Sequence, residues 1–128
     1  MIRAKIILTM IIAIFFLSAC AHKPDINISD TLGKSEVQLQ ELDNVKTTAS
    51  SFDGKNNITF RLMVEGYPSR NEAEKLFNET LNTIATNSNH LNLWNYYNAY
   101  FDIKSYDKGI LYEGIKPIGS SEIKIKII

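Results

Sequence analysis

The sequence predicts an α+β domain: a mostly antiparallel sheet packed on one amphipathic helix. Three observations predict it. "NITFRLMVEG" places Ile58, Phe60, Leu62 and Val64 on one face and Thr59, Arg61, Met63 and Glu65 on the other, the period of a half-buried strand. "YPSRNEAEKLFNETLNTIATNSN" repeats Ala73, Leu76, Phe77, Leu81 and Ile84 at steps of three and four, the period of a helix. Turn signals separate short apolar runs in the rest, which suits hairpins.

The elements follow in order. "EVQLQEL" alternates at Val37 and Leu39 and then slips in phase at Leu42 and Val45. It reads as one bulged strand or two short ones. Asp53-Gly54 marks a hairpin turn to the strand at 58–64. Ser69 and Glu72 form a capping box that opens the helix over 70–87. A short turn over 91–95 precedes a strand over 97–106, with Tyr97, Ala99, Phe101 and Ile103 sharing a face. Asp107-Lys108-Gly109 turns the chain into a strand at 110–116, and 117–121 turns it again. "EIKIKII" closes the sheet, with Lys124 and Lys126 suited to a protected edge. The predicted order is β-β-α-β-β-β.

The first twenty residues differ from the rest. Arg3 and Lys5 form a basic start, Ile6 to Leu17 is apolar apart from Thr9, and Ser18 and Ala19 are small. That is the layout of a secretory signal peptide. The apolar run is shorter than the roughly 20 residues of a spanning helix. Leu17-Ser18-Ala19-Cys20 resembles the lipobox of bacterial lipoproteins. The resemblance covers only this N-terminal stretch. It implies cleavage between Ala19 and Cys20, lipidation of the Cys20 thiol, and a mature chain anchored on the outer side of a membrane. The membrane would be the cytoplasmic one, with the outer membrane open to a Gram-negative source. Three domains of use follow: a signal peptide over 1–19, a lipidated cysteine and flexible tether over 20–34, and one folded domain over 35–128. Pro24, Gly33 and scattered Asp, Ser and Asn residues support the tether.

Charge and composition exclude several functions. The chain has 128 residues, with 14 basic and 14 acidic side chains, so no basic field points to nucleic acid. Cys20 is the one cysteine, which excludes an internal disulfide and any multi-cysteine zinc site. Only His22 and His90 are available as bases or ligands. His22 falls in the tether, and His90 follows a helix end, where a dipole contact is the simpler role. Asp53, Asn56 and Asn57 offer oxygens, but their spacing is that of a turn and not of a calcium loop. Glu65, Glu72 and Glu79 suit a solvated surface. No cofactor motif and no metal set is expected.

Seven aromatics crowd between Trp94 and Tyr112. Aromatic surfaces favour recognition, and Trp94, Tyr96 and Tyr100 are the candidates for an outward patch. The sequence thus points to a membrane-anchored, non-enzymatic binding module of the cell envelope, with a protein or peptide as partner. The alternative is a small envelope hydrolase acting on cell-wall or lipid material. A deep cleft converging on His90 and a carboxylate would favour that alternative.

Overall fold

The computed structural model describes residues 23–128. The signal peptide, its cleavage point and Cys20 lie outside the described residues.

The first element corrects the sequence expectation. Residues Ile28–Leu39 form a helix, α1. It takes in residues 28–34 of the expected tether and 36–39 of the expected strand at "EVQLQEL". Asn27 caps it, its side chain accepting the Asp30 N–H at 3.1 Å. Ile28, Thr31, Leu32, Ser35 and Leu39 are buried along one stripe. Val37, which the alternation sent inward, is 64% exposed. An exposed Asp30–Lys34 pair bridges one turn at 3.2 Å.

Strand β1 (Val45–Phe52) and β2 (Asn57–Val64) pair antiparallel across the Asp53-Gly54 turn, as the sequence predicts. Gly54 has φ +83°, a conformation that glycine adopts without strain. The Asp53 carboxylate accepts the N–H groups of Lys55, Asn56 and Asn57. These bonds, that from Asn57 foremost, hold its pKa below the ordinary carboxylate value. Asp53 therefore serves as the turn's staple. A register shift between Val45 and Thr47 marks a bulge at the start of β1.

Helix α2 spans Arg70–Asn87. Ser69 accepts the Glu72 N–H at 3.2 Å, the backbone half of the expected box. All five residues of the expected stripe are buried, together with Thr80 and Ala85. A short 3-10 turn follows at Leu93–Asn95. Strands β3 (Asn98–Ser105), β4 (Gly109–Lys116) and β5 (Lys124–Ile127) then run as an antiparallel meander. The sheet order is β1-β2-β3-β4-β5. The architecture is the predicted α+β class, with α1 added. One pairing is parallel: β2 and β3 align Asn57 with Asn98 through Val64 with Ser105. Helix α2 supplies the crossover that parallel neighbours require.

Both helices cover one face of the sheet. Helix α1 packs on α2 and β1, and α2 packs on β3. Between the layers, Phe60, Phe77 and Trp94 each meet Phe101, with ring centroids 6.2, 6.2 and 5.9 Å apart. Lys116 lies on this side at the end of β4 and is 7% exposed. Burial draws its amine below the ordinary lysine pKa. No helix among the described residues is long and apolar enough to cross a membrane.

Candidate functional site

The predicted aromatic patch does not form. Trp94 is 8% exposed. Its indole N–H donates to the Leu81 carbonyl at 3.0 Å, which satisfies its one polar atom inside the core. Tyr96 is half-buried and packs against that core. It ends the 3-10 turn and precedes β3, so the strand alternation that paired it with Tyr100 does not reach it. Tyr100 is 42% exposed and points away from Ala99 and Phe101, toward the side of the sheet that the helices leave open. The structure therefore separates Tyr100 from Trp94 and Tyr96.

What the sheet does assemble is a polar surface around Tyr100. Cross-strand register aligns Thr59, Tyr100, Ile115 and Lys124 in one row. It aligns Arg61, Asp102, Glu113 and Lys126 in the next. Neighbours in a row are close enough for their side chains to interact. Arg61 and Asp102 form a two-pronged pair, Nε to Oδ1 at 2.8 Å and Nη2 to Oδ2 at 3.0 Å. The bond to Asp102 raises the guanidinium pKa above its ordinary value, and the fork geometry fixes both groups. Glu113 stands opposite Asp102, so two carboxylates lie between two cations.

Two shallow depressions flank this pair. One of about 300 Å³ is lined by Ala49, Ser50, Ser51, Thr59, Arg61 and Asp102. The other, about 210 Å³, is lined by Thr59, Tyr100, Phe101, Asp102, Glu113 and Ile115. They offer hydroxyls, charges, the Tyr100 ring and the apolar side chains of Ala49 and Ile115. That mixture suits a partner's polar and apolar side chains together.

The other sequence candidates fall elsewhere. Glu65 faces Lys46 at 3.8 Å. Glu72 and Glu79 line a depression of about 300 Å³ on the helical side, with Asp43 and Lys75. The His90 carbonyl accepts the Ser88 hydroxyl and the Leu93 N–H. His90 is therefore placed in the turn after α2, and its neighbour Asn89 takes φ +60°. Among the described residues, no three acidic, His or Cys side chains converge as a metal set.

Sequence reasoning missed Arg61 and Asp102. Arg61 carried a signal, as the one cation on the outward side of the clearest strand. Asp102 lies 41 residues away, and only the parallel register brings them together.

No family model matches the chain, and no curated protein matches it. Among solved structures it is similar to the crystal structure of "Sex pheromone staph-cAM373 precursor", with TM-score 0.50 and 10% sequence identity. The alignment covers 77% of this chain and 34% of that one, so this chain spans about a third of the neighbour's length. At that identity the likeness is one of fold, and it falls on part of a larger chain.

Proposed function

We propose that this chain is a lipoprotein module of a bacterial envelope. Cys20 carries the lipid, and the open face of the sheet binds a protein or peptide. The observation that carries the anchor is Leu17-Ser18-Ala19-Cys20 directly after a basic start and an apolar run. Lipid chains add about 0.8 kcal/mol per buried methylene, and two or more anchor a protein stably.

The binding role rests on the Arg61–Asp102 pair and its row. The pair is two-pronged and partly buried, with the Arg61 side chain 37% and that of Asp102 17% exposed, so it orders the surface as well as holding β2 to β3. Its fixed geometry beside Tyr100 and Glu113 is useful for recognising a partner. The module acts without a catalytic step.

Two measurements test this. Cys20→Ala should abolish lipid labelling and move the protein out of the membrane fraction; a processed, membrane-bound variant would refute the anchor. A photo-crosslinking residue at Tyr100 should give a discrete protein adduct in cells, lost on Arg61→Ala in a variant that still unfolds cooperatively. Adducts arising equally from Glu74, on the outer side of α2, would refute the open face as the binding surface.

A further inference from the structure

Resting on the lipid anchor at Cys20, we propose that the end of the sheet bearing Lys23, Leu91 and Ile118 lies directly on the lipid surface.

A tether through residue 34 would let the domain stand away from the membrane. The structure leaves no such length. The Lys23 amine sits 4.1 Å from the centre of the Tyr97 ring and donates to the Lys55 carbonyl. Ile26 packs on the core and Asn27 caps α1. Only Ala21 and His22 separate Cys20 from Lys23. Three peptide steps span at most about 11 Å. The headgroup layer on one side of a bilayer is itself about 5–8 Å deep. The fold begins where the lipid ends.

The facing surface is set by what surrounds Lys23. It comprises the β1–β2 turn, the chain entering β3, and the chain leaving β4. Amide bonds tie these together. Asn98 donates its N–H to the Asn56 carbonyl at 2.7 Å and its side-chain amide to Asn57 at 2.9 Å. Its side-chain oxygen accepts the Ile118 N–H at 2.7 Å. Tied to this ledge, Ile118 is 42% exposed, and Leu91, in the chain that leads from α2 into the same end of β3, is 85% exposed. Both can enter the headgroup region, where apolar side chains leave water. The opposite end, with Tyr67 and Tyr106, faces away.

The test uses the lipidated full-length protein in proteoliposomes, because lipidation leaves no free thiol. Leu91→Cys, Ile118→Cys and Tyr106→Cys are each treated with a membrane-impermeant maleimide. Positions 91 and 118 should react roughly tenfold more slowly than 106, because a thiol held in the headgroup region is shielded from a reagent that stays in water. Inserting about twenty Gly/Ser residues between His22 and Lys23, a reach of roughly 25 Å, should bring all three rates together. Equal rates without the insertion would overturn the orientation. So would slow labelling at 91 and 118 that survives it, because packing within the protein would then be the cause. Failure of the anchor itself reads differently: the unsubstituted protein would be labelled at Cys20 and would not stay with the vesicles, and the orientation would fall with it.

Discussion

Gly114 matters for the side chain it lacks. It lies in β4 on the helix-covered side. A Cβ there would meet Ile123 Cδ1 at 2.9 Å and the Phe77 ring at 3.0 Å. Ile123 is half-buried and its Cδ1 can swing aside, but Phe77 is fully buried and its ring has no free room to retreat. Gly114→Ala should therefore destabilise the fold by about 1–3 kcal/mol, the usual cost of overpacking. Urea unfolding checks it, and an unchanged midpoint would mean that α2 yields easily. The sequence shows glycines chiefly as turn markers, and for Gly54 that is right. At Gly114 the demand comes from a ring 37 positions back in the chain, so nothing local announces it. Trp94 teaches the same lesson. Its type suits a surface or a core, and only the Leu81 carbonyl decides between them.

At the scale of elements, legibility followed side-chain chemistry. Helix α2 and strand β2 carry apolar residues at nearly every inward position, so their periods were plain. Helix α1 hides its period. Two of its five buried positions are Thr31 and Ser35. Their hydroxyls donate to the carbonyls of Asn27 and Thr31, at 2.9 and 2.8 Å. That lets polar residues sit inside a helix interface without orphaned groups. A scan for apolar spacing passes over such a stripe and finds the weaker alternation of Val37 and Leu39. The consequence is testable by deletion. Removing residues 23–34 should abolish cooperative unfolding, since it takes away Ile28 and Leu32, each 3% exposed. Leu32→Ala alone should cost about 2–5 kcal/mol. A melting temperature unmoved by the deletion would show that α1 is dispensable.

For the whole molecule, the sequence yielded the class, most strands and the hairpin pairs, but not the β2–β3 neighbours. Hairpin turns declare which strands pair locally. The β2–β3 pairing has no such turn, and it is what aligns Arg61 with Asp102. Fold class was therefore readable while the open-face site was not. This one pairing also shapes how the chain reaches its native state. The β1–β2 hairpin and the β3–β4–β5 meander can each close over short loops. Joining them requires closing the whole crossover from Val64 to Asn98, a long-range step that is slow compared with hairpin closure. The seam between the two halves, where Phe60 stands opposite Phe101, should belong to the folding nucleus. Stopped-flow measurements on Phe60→Leu should then show slower folding with little change in the unfolding rate. Faster unfolding at an unchanged folding rate would place the seam after the barrier. Until that seam closes, each half of the sheet shows the other an uncovered strand, an edge open to any other chain nearby.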